Sequence, residues 1–125
     1  MKITAELLCA KGACTGQIAL FRKFYPKGKN VTLATCLRHA TRFNWRWAAR
    51  NLLSAPAQKA CIKEIDTAQT AYDRKCDAAW EASGKASGAA WTAAAWKARD
   101  KVIAAALVVC CKASAAAFAR AALSE

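Results

Sequence analysis

Histidine occurs once in these 125 residues, at His39, and proline only twice. Glycine and acid are also scarce, at five and eight residues. Each scarcity removes a class of structure or chemistry. A zinc site needs Cys and His clustered at ligand spacing; one histidine and no Cys-x-x-Cys pair do not supply it, so no metal and no cofactor is expected. So little glycine and proline leaves few tight hairpin turns, and the β-branched and aromatic residues that favour strands are thinly spread. Long apolar runs are missing as well. The longest, Val102 to Cys111, is bounded by Lys101 and Lys112 and is about half the length a bilayer requires. No transmembrane segment is therefore expected. Met1 to Ala10 contains Lys2 and Glu6 without an apolar core, which does not read as a signal peptide.

What is abundant is alanine, the best helix former, within a composition that is 56% hydrophobic. The expected fold is all-α, as a single helical domain over residues 1–125. A chain of this length buries roughly two-thirds of its unfolded surface and needs no staple. The seven cysteines, at 9, 14, 36, 61, 76, 110 and 111, mostly lie inside apolar helical patterns. They read as free thiols acting as small hydrophobes in a reducing, cytoplasmic setting.

Along the chain, Ile3 to Cys9 reads as a short helix ending near Gly12. Thr15 is placed to cap a second helix through Phe24, which Tyr25-Pro26-Lys27-Gly28 interrupts. Thr32 is placed to cap a third, with Leu33, Cys36, Leu37 and Ala40 on one face. Asn44 is placed to cap a fourth, Trp45 to Leu53, although one continuous helix from Thr32 to Leu53 is the alternative. Ser54 and Pro56 mark the start of a long helix, expected from Ala57 to about Ala82, with Cys61, Ile65, Ala68, Tyr72, Cys76, Ala79 and Trp80 inward. A joint over residues 83–88 leads to a second long helix, Ala89 towards Ala122, whose small residues allow close approach. The picture is a set of short N-terminal helices packed on a long antiparallel hairpin, residues 55–125. The recurrent Ala-Tyr and Ala-Trp pairs at Tyr72, Trp80, Trp91 and Trp96 read as aromatic core between helical layers.

Charge is concentrated at one end. The formal net charge is +12. Residues 1–54 hold ten basic residues and the single acid Glu6, a formal +9, whereas residues 55–125 hold ten basic and seven acidic residues, +3. Such asymmetry points to an acidic partner. Arg38, Arg42, Arg46 and Arg50 recur every fourth residue; on one helix they would form a stripe that drifts about 40° per step. Phe43 and Trp45 lie among them, the basic and aromatic texture that grips phosphates and stacks bases. Arg22, Lys23, Lys27 and Lys29 flank the Tyr25-Pro26 turn and extend the surface. The bland alternative is a solvated helix face with aromatics buried behind it. Catalysis has little material, since His39 lacks a neighbouring carboxylate and no glycine-rich phosphate loop is present. No enzyme is expected.

The segments NWRWAARNLLSAPA at 44–57 and AYDRKCDAAWEAS at 71–83 resemble a loose family of alanine-rich helical bacteriophage proteins of unknown function. In that family, D-W-A-A-R-x-L-L-S-x-P-A precedes alanine-rich helices carrying Ala-x-Tyr and Ala-x-Trp units. The opening ITAELLCAKGAC and QIALFRKFYP are similar to its N-terminal region, so the resemblance covers residues 3–82. This chain departs from the pattern in lacking regular acidic repeats and in its positive charge. More faintly, the Ala/Trp-rich tail resembles helical immunity proteins without their histidines. The resemblance implies a small phage accessory protein, a stoichiometric inhibitor of host defence machinery of the anti-CRISPR kind. The expected partner is an acidic protein surface or, alternatively, nucleic acid bound without sequence specificity; no small-molecule substrate is expected, and a homodimer stays open. A peripheral membrane role is disfavoured at this level, because no Lys-rich helix with an unburied bulky apolar face stands out.

Overall fold

The computed structural model describes residues 1–85 and 93–125. Its helices are α1 (Ala5–Ala10), α2 (Thr15–Phe24), α3 (Leu33–Arg38), α4 (Trp45–Leu52), α5 (Ala55–Lys85) and α6 (Ala93–Leu123). Two short strands, β1 (Lys2–Ile3) and β2 (Lys29–Asn30), pair antiparallel and tie the N-terminus to the turn after α2. The fold is all-α apart from this bridge.

Local chemistry explains most boundaries. The Thr4 hydroxyl accepts from Leu7 N, so α1 begins at Ala5 and leaves Ile3 to the strand instead of the helix expected from position 3. Thr32 accepts from Thr35 N and Asn44 from Trp47 N, each satisfying one of the free amides that open a helix. Those two caps decide between the alternatives for residues 32–53. The chain leaves α3 at His39, turns through residues 40–43, and starts again as α4. Thr15 is not a cap: Cys14 holds that position without a side-chain bond, and Thr15 is already helical. Of the face expected for the third helix, Cys36 and Ala40 (just past the end of α3) are buried, whereas Leu33 and Leu37 face solvent.

The long helices form an antiparallel pair. Arg120 bonds Glu64 near one end, and the Arg99 guanidinium lies 4.0 Å from the Trp80 ring near the other. At the base, Ser54 N donates to Glu125 Oε1 over 2.5 Å. α5 starts two residues before the expected Ala57 and runs past Ala82. The remainder of the expected joint (Ala86, Ser87, Gly88), the expected start of the last helix at Ala89, and Trp91 lie outside the described residues.

The core sits at the base of this hairpin. α3 and α4 pack there against α6, and with the residues flanking α3 they supply Val31, Cys36, Ala40, Trp45, Ala48 and Ala49. The hairpin answers with Cys61, Ile65, Ala115, Ala117, Phe118, Ala119 and Ala122. Phe118 is fully buried and packs 5.6 Å from the Trp45 ring. A satellite cluster of Ala5, Leu8 and Phe21 lies under α1 and α2. Alanines on α6 let α3 and α4 come close, and the two aromatic rings fill what the alanines leave open.

Away from the base the hairpin is bare. Its seam is built from Ile65, Ala68, Tyr72, Cys76 and Ala79 against Ile103, Ala106 and Cys110. Trp80, expected to point inward, is 57% exposed, its ring lying outside the seam against the Arg99 guanidinium at 4.0 Å. Trp96 is also exposed. By length and composition α6 is apolar enough to cross a membrane: an 18-residue stretch has a mean hydropathy of 2.1, and 39% of it is buried.

Candidate functional site

The N-terminal 54 residues form a basic head, and an aromatic cluster organises its surface. Phe24 and Tyr25 close α2, and His39 closes α3. The His39 ring lies 4.6 Å from Phe24 and 5.6 Å from Tyr25. The Tyr25 hydroxyl and His39 Nε2 share a 2.8 Å hydrogen bond. His39 is 6% exposed, and its Nδ1 is buried with no hydrogen-bond partner among the described residues. A neutral ring donating from Nε2 to Tyr25 leaves only a lone pair bare at Nδ1, which costs less than a bare N–H. Burial first, then the charges of Arg42 and Arg38, push the His39 pKa below its ordinary value.

Two cations lie over this cluster. Arg42 Cζ is 5.0 Å from the Phe24 ring centre, and Lys29 Nζ is 5.6 Å from that of Tyr25. Both contacts are of cation–π type and keep the charge at the surface while the ring beneath is half-buried. Lys27 sits on the turn between Tyr25 and β2. Gly28 closes that turn at φ +77°, and a Cβ there would come within 2.8 Å of the Ile3 carbonyl oxygen. The same close approach brings Lys2 into the patch. Sequence reading did not include Lys2, since only the β1–β2 pairing makes residue 2 a neighbour of residue 30.

The expected site residues thus separate into groups. Arg22, Lys23, Lys27, Lys29, Arg38 and Arg42 are exposed and make no salt bridge among the described residues. Arg22 and Lys23 on α2, Arg38 on α3 and Arg50 on α4 stand in last turns, where a cation offsets the carbonyl end of the helix. Lys27, Lys29 and Arg42 have no such structural duty. Arg46 points the other way, to Asp66 on α5 at 2.5 Å. The four-residue spacing from Arg38 to Arg50 therefore does not make one stripe, because the chain turns between His39 and Asn44. Trp45 is buried, with Nε1 donating to the Ala40 carbonyl at 2.8 Å, and Phe43 packs between the rings of His39 and Trp45. Neither presents a free face for base stacking.

Beneath the patch lies an apolar cavity of about 80 Å³, lined in part by Tyr25, Val31, Cys36, His39, Trp45 and Phe118. Burial pushes the Cys36 thiol up to about 11, away from the thiolate that nucleophilic chemistry uses. Among the described residues no group of three His, Cys, Asp or Glu side chains gathers as a metal site would require. What the arrangement offers chemically is a fixed array of cations. No family model, curated protein or solved structure matches this chain.

Proposed function

We propose that this chain is a non-enzymatic, stoichiometric binding protein whose basic head docks on an acidic protein surface. The observation that carries the reading is the set of exposed cations Arg22, Lys23, Lys27, Lys29, Arg38 and Arg42, with Glu6 as the one acid in the first 54 residues. A patch that cannot neutralise itself draws an anionic partner and suppresses like-charged ones. The aromatics beneath it are committed to the fold. That favours a protein face over a single-stranded nucleic acid, whose binding draws on exposed stacking rings. The resemblance of residues 3–82 to bacteriophage proteins supplies the biological class, an inhibitor that occupies host defence machinery one-to-one.

Capture from nuclease-treated bacterial lysate tests this, comparing wild type with Arg22→Glu/Lys27→Glu/Arg38→Glu. A discrete protein retained by wild type and lost by the variant supports the reading. Retention only of nuclease-sensitive material, with the steep salt dependence of counterion release, replaces it with nucleic-acid binding.

A further inference from the structure

Between Lys101 and Lys112 every residue of α6 is apolar. Val102, Leu107, Val108 and Val109 are all exposed, and Val109 reaches 58%. Successive helical residues are about 100° apart, so Leu107, Val108 and Val109 alone span an arc of roughly 200°. One partner helix covers about half of that.

Charge is distributed in a way that selects the cover. Lys101 and Lys112 bracket the valines, and eleven residues apart they stand on one side of α6, about 16 Å from each other. α6 has one acid, Asp100, held by Arg99 at 3.0 Å. The other hairpin acids lie on α5 or at the C-terminus. The hairpin is thus amphipathic as a unit, with α5 charged and α6 apolar between cations. At its far end, Trp80 and Trp96 flank Arg99 at 4.0 and 5.4 Å. Indoles beside cations are the residue types that settle at a lipid headgroup boundary.

From these three features we infer that α6 docks on an anionic lipid leaflet, lying in its interface without spanning it. Val102, Leu107, Val108 and Val109 enter the acyl boundary. Lys101 and Lys112 extend along their stems to lipid phosphates. The Trp80–Arg99–Trp96 group sits at headgroup level. A second copy of the chain is the poorer cover, since pairing α6 with itself sets Lys97, Lys101 and Lys112 against the same cations with only Asp100 to answer them. This surface is separate from the basic head and does not depend on what the head binds.

Flotation of the full chain with vesicles tests the inference. Phosphatidylcholine vesicles are compared with ones containing about one-third phosphatidylglycerol, each cation near an anionic leaflet adding about fivefold in partition. The chain should float with the anionic vesicles and stay behind with the neutral ones. Val102→Asn/Val109→Asn, at two exposed positions that leave the fold intact by thermal melt, should weaken flotation about tenfold or more. Failure of wild type to float overturns the inference. So does flotation that the double variant leaves unchanged, since that would be attraction by charge alone. A dimer in vesicle-free solution that the variant dissociates would assign the stripe to a second copy instead.

Discussion

Phe118→Ala probes the junction on which both surfaces depend. The ring is fully buried, packs on Trp45, and stands where α3, α4 and α6 converge. Its buried neighbours on α6 are alanines, whose short side chains cannot move in to fill the space. Removing a phenyl group from such a position costs about 3–5 kcal/mol, the sum of lost transfer energy and the cavity left behind. Unfolding entropy near 2.1 cal/mol/K per residue gives roughly 4 °C per kcal/mol for a chain of this length, so Tm should fall by about 12–20 °C. Melting should be followed by far-ultraviolet circular dichroism, which reports mainly the long helices, and by near-ultraviolet dichroism, which reports the packed aromatics. Because one core joins head and hairpin, both signals should shift together. A fall below about 4 °C, or a head that melts while the hairpin holds, would refute the reasoning.

Other outcomes follow from single groups. Because burial depresses the His39 pKa, the unfolded chain takes up this proton before the folded one does as pH falls below about 6.5. Stability is therefore fully present above that pH and declines as pH falls below it, and His39→Gln should flatten the decline in urea-unfolding midpoints; an unchanged slope would contradict the assignment. Gly28→Ala places a Cβ against the Ile3 carbonyl at a left-handed φ. It should cost about 1–3 kcal/mol and weaken exchange protection of the Val31 amide, which bonds the Met1 carbonyl. With a thiol reagent at about pH 8, exposed Cys9 and Cys14 should react first, while Cys36 and Cys61, buried with pKa near 11, wait for denaturant. Equal rates for all four would mean that the core opens readily.

Much of the fold is legible in the sequence because its signals are local. Thr32 and Asn44 act within three residues, so their caps announce α3 and α4 directly. The apolar stripe from Cys61 to Ala79 announces one face of α5. What escapes depends on distant parts. The β1–β2 bridge joins residues 2–3 to 29–30 with no periodicity to betray it. Trp80 satisfies inward spacing as well as Ala79 does, and only the finished structure sets it outside the seam against Arg99 on the other helix. The Arg38–Arg50 spacing suggests a stripe until the turn at residues 39–44 splits it and Asp66 takes Arg46. The apolar run from Val102 was visible as composition. That nothing in the described structure covers it follows only from the head ending at the hairpin base, against Ala115 to Ala122.

The central claim is that the basic head binds an acidic protein surface, and its most direct measure is the affinity of the captured protein for wild type and for Arg22→Glu/Lys27→Glu/Arg38→Glu, titrated at physiological salt. Three reversals against a complementary face should weaken one-to-one binding about a hundredfold or more in a variant that circular dichroism shows to be folded at the assay temperature. Affinities within about threefold of each other would mean that the cations are a solvated surface and that the partner is held elsewhere.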